Sequence, residues 1–290
     1  MAHCVRGLSH GALGIVNAIG SGGFGAAAAL NLRVEVKVCV EEAGVWEGVV
    51  KTRGALRRVP PAILESAAAV AAERLGCRVP GLRVEGVSEI PYAAGLKGSS
   101  ALIDAVLHAL LNYCGVEVSR YERAVMGVEA AYRAGVTVTG ALDDHLAVSG
   151  CGAYATINPD TLVRHDPCLG RLYAGVAVPG SLEIGAVRPE MYKGLRRLYA
   201  TAWRLAVAGD WWGAATVNGA AGLLSLGLDP GRVLAPLEGY DLLSVGVTGK
   251  GPGVYVVSGS RRVAEEAAGV LAGMLGGYVV VAELVSCQRC

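Results

Sequence analysis

Pro91-Tyr92-Ala93-Ala94-Gly95-Leu96-Lys97-Gly98-Ser99-Ser100-Ala101 is the stretch on which the reading of this 290-residue chain turns. It runs directly into apolar residues at helical spacing, so a Gly- and Ser-rich loop closes on a helix start. The first N–H groups of a helix have no partner within it, and the aligned peptide dipoles place partial positive charge at the same end. Such a loop is an anion cradle. Gly95 and Gly98 let the backbone approach a phosphate closely, and Lys97 can add a point charge. Ser99 or Ser100 can cap the helix or offer a hydroxyl to a bound Mg²⁺. On spacing alone, an ordinary Ser-capped helix after a turn stays open as a second reading.

Apolar residues make up 53% of the chain and charged residues 18%, so burial can offset the entropy of ordering and a disordered chain is excluded. Lys+Arg 26 against Asp+Glu 25 gives a net charge of +1 with no basic block, and no nucleic-acid partner is expected. The mean hydropathy is positive, +0.44, and residues 7–32 carry no charge over a length that could span a bilayer. Seven glycines with Ser9, His10, Asn17, Ser21 and Asn31 make that run a poor match to hydrocarbon, and it lacks the layout of a secretory signal. The chain is expected to be soluble and cytoplasmic, with no membrane partner.

Cys39, Cys114 and Cys151 sit singly among apolar residues, where a free thiol behaves as a small hydrophobe. Cys287-Gln288-Arg289-Cys290 has neither a second pair nor matching histidines, so thiols, a disulfide and a metal all stay open for Cys287 and Cys290. The chain is poor in Asn and Gln and favours Arg over Lys. Heat adaptation, under which intracellular disulfides occur, or codon bias would each produce that composition.

Period-two alternation over residues 32–40 predicts a half-exposed strand. Pro60-Pro61 opens a helix to about residue 75 with Gly76 as its stop, a short strand covers 82–87, and a helix runs from about 99 to 113. Ser119-Arg120-Tyr121-Glu122 has capping-box spacing and starts a helix ending near Gly135. Strands follow at 153–157 and 172–178, then helical patterns at 189–208 and 211–226. The tail reads strand (242–247), strand (254–257), helix (261–275), strand (278–284), a mixed α+β layer.

Two glycine motifs fail on context. Gly20-Ser21-Gly22-Gly23-Phe24-Gly25 fits G-x-G-x-x-G, but a strand follows where a dinucleotide fold needs a helix. The same glycines with Lys37 mimic a protein-kinase loop, yet the chain contains no H-R-D or D-F-G triplet. A simple turn and a ligand-facing loop both stay open there. No Walker A loop exists, since Gly249-Lys250 lacks the upstream glycine.

Pro91-x-x-x-Gly95-Leu96 followed by Ser99-Ser100-Ala101 resembles the phosphate-binding motif of the GHMP kinases. Lys97-Gly98, where most members have one Gly, resembles the archaeal shikimate kinase branch. Three further stretches resemble motifs of that family in the same order: Gly14-Ile15-Val16-Asn17-Ala18-Ile19, Thr137-Val138-Thr139-Gly140-Ala141-Leu142-Asp143-Asp144, and Thr248-Gly249-Lys250-Gly251-Pro252-Gly253. The resemblance implies an α+β GHMP kinase fold of two domains. An N-terminal ribosomal-S5-like domain over residues 1–165 would carry the ATP site, and a C-terminal ferredoxin-like domain would cover 166–290. It implies Mg²⁺-dependent transfer from ATP to the 3-hydroxyl of shikimate, with residues 91–101, Thr248, Gly249 and Gly251 at the nucleotide. Other acceptors of the family, homoserine or mevalonate, and a non-catalytic ATP-binding protein are the alternatives.

Asp143 and Asp144 read either as a helix cap and its neighbour or as a catalytic base with an orienting partner. The resemblance favours Asp143 as the base. It also implies a metal-binding Glu in the preceding helix, where Glu129 fits, alongside Ser100; a solvated helix residue is the other reading of Glu129. Asn17 is the expected substrate contact, and Arg164 and Arg188 are candidates for the acceptor's carboxylate. His145, beside the Asp pair, is a further residue that could reach the site. The oligomeric state has no signature in the sequence.

Overall fold

A computed structural model describes residues 3–41, 44–179 and 189–287. β1 (His3–Val16) and β2 (Phe24–Val40) form a long antiparallel pair, and the chain turns between them through α1 (Ala18–Ser21). The Asn17 side chain accepts from the N–H groups of Ile19 and Gly20, and Gly22, in the left-handed region at φ 82°, ends the turn. β3 (Trp46–Thr52), β4 (Ala55–Arg58), β5 (Leu82–Ser88), β6 (Ala153–Ile157) and β7 (Thr161–Asp166) complete a seven-stranded sheet in the order β4-β3-β5-β2-β6-β7, with β1 also on β2.

α2 (Pro61–Leu75), α3 (Gly98–Cys114) and α5 (Leu142–Ser149) pack on this sheet, and α4 (Arg120–Arg133) packs across these three helices. Their ends follow local chemistry: Pro61 opens α2, Gly76 closes it at φ 67°, and both bonds of the Ser119/Glu122 capping box are made. β2 extends eight residues before the predicted strand, because residues 26–30 are buried throughout and show no alternation to read. β1 escapes the pattern for a related reason. A Cβ at Gly7 would lie 1.8 Å from the Ala105 carbonyl oxygen, so α3 rests directly on a strand whose glycines erase its period.

A second, antiparallel sheet comprises β8 (Tyr173–Pro179), β9 (Ser244–Val247), β10 (Val254–Ser258) and β11 (Gly277–Glu283) in the order β11-β8-β10-β9, backed by α9 (Arg261–Leu275). α6 (Arg196–Ala208) and α7 (Trp211–Ser225) pack together and against β1, with the short α8 (Pro230–Leu234) following. The helix predicted over 189–208 is instead a 3-10 turn, Pro189–Tyr192, and α6, separated at Gly194 with φ 83°. Leu30 bridges to Leu284, and Tyr255 and Val257 share one apolar core with Leu13 and Ile15, so the two sheets are packed as a unit. Among the described residues no helix is long and apolar enough to cross a membrane.

The cysteines correct the sequence reading. Cys4–Cys39, Cys77–Cys114 and Cys168–Cys287 are disulfides, Cys151 is disulfide-bonded as well, and no described cysteine is free. Cys4 lies opposite Cys39 in the β1–β2 register, while Cys77 and Cys114 stand at the C-terminal ends of α2 and α3. Pairings made by strand register and helix packing leave no trace in spacing. Cys290 lies outside the described residues.

Candidate active site

A cleft of about 620 Å³ opens beside the N-terminus of α3. It is lined by residues 91–100, the end of β1 with Asn17, the segment ahead of α5, Asp143, Asp144, Gly249 and Gly251. Ala101 is buried in α3, away from the cleft.

The loop before α3 holds Ala93, Gly95 and Lys97 at φ 56°, 78° and 63°, a run of left-handed residues that swings the chain into the helix. Lys97 is the N-cap residue and makes no side-chain cap, so neither Ser99 nor Ser100 caps the helix. The first helical bond is Ala101 N–H to the Lys97 carbonyl, which leaves the N–H groups of Gly98, Ser99 and Ser100 directed off the helix end. A Cβ at Gly98 would meet only Ile90, at 3.7 Å, so this glycine leaves open space. A Cβ at Gly95 would lie 2.4 Å from the Thr248 carbonyl. Gly95 is thus required by protein packing.

Thr248 is fully buried and does not line the cleft. Its hydroxyl donates to the Gly95 carbonyl at 3.0 Å and accepts from the Gly14 N–H at 2.9 Å, so one side chain pins β1, the phosphate loop and the β9–β10 turn together. Asn17 is also engaged. Its Oδ1 caps α1, its Nδ2 donates to the Gly249 carbonyl at 2.7 Å and lies 3.5 Å from the Tyr192 hydroxyl, and its N–H donates to Asn218 Oδ1 at 2.8 Å. That set of bonds leaves Asn17 as a tether across the cleft floor.

Asp143 and Asp144 occupy the first turn of α5, where the partial positive charge of the helix end favours carboxylates. Asp143 is 2% exposed; Asn158 Nδ2 donates to its Oδ1 at 3.0 Å, with the Thr156 hydroxyl at 3.5 Å. Asn158 Oδ1 in turn accepts from the Leu142 N–H at 2.8 Å, so this residue both caps α5 and orients the carboxylate. A Cβ at Gly25 would fall 2.2 Å from Asp143 Oδ1. The last glycine of the false dinucleotide motif therefore makes room for a carboxylate. Burial, followed by the charge of Asp144, pushes Asp143 up to about 7, against the pull of Lys97 and Asn158.

Lys97 Nζ lies 2.8 Å from Asp144 Oδ1, an ion pair with both side chains largely buried. Burial would lower the Lys97 ammonium, but Asp144 and Asp143 outweigh it and hold it above its ordinary value. The point charge expected for a phosphate is therefore shared with the carboxylate pair.

Other expected residues go elsewhere. Glu129 accepts from Arg74 and Arg133 on the outer face of α4 and does not reach the cleft. Arg164 donates to Asp166 and to the Val207 carbonyl. Arg188 lies outside the described residues. His145 is 1% exposed behind Asp144 against Gly127, with burial lowering it to about 4. Asn158 and Thr156 went unread because β-pairing, with no motif, delivers them. The assembled site can hold an anion on free N–H groups and hydroxyls, and can take a proton at a buried carboxylate beside it.

Comparison with known proteins places this geometry in a family. Residues 62–152 match the model of the GHMP kinases N terminal domain. The chain is 40% identical over 266 residues to a shikimate kinase of Aeropyrum pernix, covering 90% of this chain and 93% of that relative. It is 33% identical over 266 residues to a shikimate kinase of Thermococcus kodakarensis, covering 90% and 95%. Among solved structures, the homoserine kinase from Cytophaga hutchinsonii superposes with a TM-score of 0.70 at 17% identity, over 98% of this chain and 95% of that one. The L. major mevalonate kinase in complex with R-mevalonate gives 0.69 at 12%, over 100% and 98%. With that identity sustained across nearly the full length of both chains, the protein belongs to the GHMP kinases, in the branch of the archaeal shikimate kinases.

Proposed function

We propose that this chain transfers the γ-phosphoryl group of ATP to the 3-hydroxyl of shikimate, releasing ADP and shikimate 3-phosphate, a step toward aromatic amino acids. The observation that carries the reading is the full-length identity to shikimate kinases, joined to a cleft with an anion-holding helix end facing a buried carboxylate of raised pKa. Homoserine and mevalonate are named for the structural neighbours, which share the fold alone at 17% and 12% identity.

The free N–H groups of Gly98, Ser99 and Ser100 would hold the phosphates, with residues 91–96 and the Gly249–Gly251 turn walling the site. Asp143 would accept the hydroxyl proton as the oxygen bonds to phosphorus and the γ-phosphorus to β-γ oxygen bond breaks, leaving ADP with the electron pair. Asn158 and Thr156 orient that carboxylate, and Lys97 offsets the charge of the Asp pair.

The donor set fits a divalent cation: two adjacent carboxylates face the cleft next to serine hydroxyls that make no protein hydrogen bond among the described residues. Asp144 and Ser100 would hold Mg²⁺, which supplies neutralisation of phosphoryl charge when bound. Glu129, engaged by two arginines, is not in that set.

ADP release by the purified protein with Mg-ATP against shikimate, homoserine, mevalonate and galactose tests the assignment. Turnover with shikimate alone is expected. Binding of ATP without turnover of any acceptor would instead favour a nucleotide-binding regulator.

A further inference from the structure

The acceptor carries a carboxylate, and it must bring a hydroxyl to the end of the cleft where Asp143 and Asp144 stand against one lysine. An anion entering there needs a cation of its own. The cations that line the cleft among the described residues are Arg57, Arg58, Lys97 and Lys250. Lys97 is committed to Asp144 at 2.8 Å. Arg57 stacks over the Tyr92 ring at 4.7 Å, and with Arg58 it sits on β4.

The sheet register sets how far those arginines are from the carboxylates. Arg57 pairs with Val50, Val50 with Gly86, and Gly86 with Val36 of β2. Asp143 packs on Gly25, near the opposite end of β2. Counted through the ladder, the arginines of β4 therefore reach β2 at Val36, eleven positions from that glycine. Arg57 and Arg58 accordingly stand at the Tyr92 end of the cleft, away from the segment of β2 against which Asp143 packs.

Lys250 is placed differently. Gly249 at φ 58° and Gly251 at φ 77° flank it in a turn closed by the Gly251 N–H on the Thr248 carbonyl at 2.9 Å. A Cβ at Gly249 would lie 3.4 Å from Lys97 Nζ, and the Gly249 carbonyl is held by Asn17. The backbone of Lys250 is thereby fixed at the carboxylate end, while its side chain is exposed and has no ion-pair partner among the described residues. We propose that Lys250 binds the carboxylate of the acceptor and so selects for an acidic ring alcohol. This rests on the reading of shikimate as acceptor. An ammonium attracts a carboxylate without the fixed directionality of a guanidinium fork, which suits a side chain reaching in from a turn at the rim.

Lys250→Met and Lys250→Arg, made in the full chain, separate this role from phosphate binding. KM values are measured for ATP, for shikimate and for the neutral carboxamide of shikimate. Loss of a charge-assisted contact is expected to raise KM for shikimate roughly 10- to 100-fold, with KM for ATP within about twofold and kcat little changed. Lys250→Arg should recover most of the loss. The wild type should disfavour the carboxamide by a similar factor, and Lys250→Met should treat acid and amide alike. A rise confined to KM for ATP would assign Lys250 to the phosphates and overturn the proposal, as would a Lys250→Met variant that still prefers the acid. If the wild type turns over no shikimate at all, the acceptor reading fails first and this one with it.

Discussion

At the scale of single residues, the proposed chemistry depends on one carboxylate whose surroundings raise its proton affinity. Asp143 is buried beside Asp144, and Lys97, the amide of Asn158 and its own backbone N–H oppose that effect. Asp143→Asn preserves shape and hydrogen bonding, so kcat should fall by about 10² to 10⁴ while ATP affinity measured by calorimetry holds. Full turnover in that variant would remove Asp143 as the base. A base must be deprotonated to act, so kcat/KM should rise with pH through an apparent pKa of about 7. Removing the nearby ammonium with Lys97→Met raises the carboxyl further and should move that acid limb to higher pH; an unmoved limb would assign it to another group. The Asp pair was legible as candidate chemistry because two acids follow a glycine. Its supporting shell was not. Thr156 and Asn158 reach Asp143 through the pairing of β2 with β6, a long-range arrangement that local spacing does not encode.

At the scale of elements, helix ends and caps were readable and glycine-rich strands were not. Pro61, Gly76 and the Ser119/Glu122 box act over a few residues, so sequence exposes them. Gly7 in β1 answers instead to a helix about a hundred residues downstream, and its meaning appears only when α3 is in place. Glu129, which the resemblance offered as a metal ligand, is instead held by Arg74 and Arg133 away from the cleft, because position along α4 does not say which flank faces it. The α3–α4 contact contains a buried ion pair, Asp104 with Arg123 at 3.0 Å. Burial pushes Asp104 up to about 7 even against that arginine. Arg123→Met strands the carboxyl and should cost about 3–5 kcal/mol of stability, read by denaturant unfolding. Adding Asp104→Leu should recover most of it, and a single variant as stable as the wild type would show that the pair is not a structural clamp.

At the scale of the whole molecule, disulfides supplement a core assembled from two sheets. Cys4–Cys39 and Cys77–Cys114 close separations of 35 and 37 residues, and Cys168–Cys287 closes 119. Each constrains the unfolded chain by about 3–5 kcal/mol on loop-entropy grounds. Reduction should therefore lower Tm by roughly 10 °C or more, followed by calorimetry with and without reductant. An unchanged Tm would mean that the bonds add nothing to the packed fold. The architecture itself was legible from order: the phosphate loop, the Asp pair and the second glycine turn follow the family's sequence, and each lands at the cleft.

The Thr248 hydroxyl has a consequence for anyone who would divide this chain. Severed between β7 and β8, each half carries the strands of one sheet, but Gly14 and Gly95 go with one piece and Thr248 with the other. The proposed nucleotide cradle would lose its brace in both fragments and regain it only on reassociation. Fused to two interacting partners, the halves would form a complementation reporter whose signal is the recovery of ATP binding.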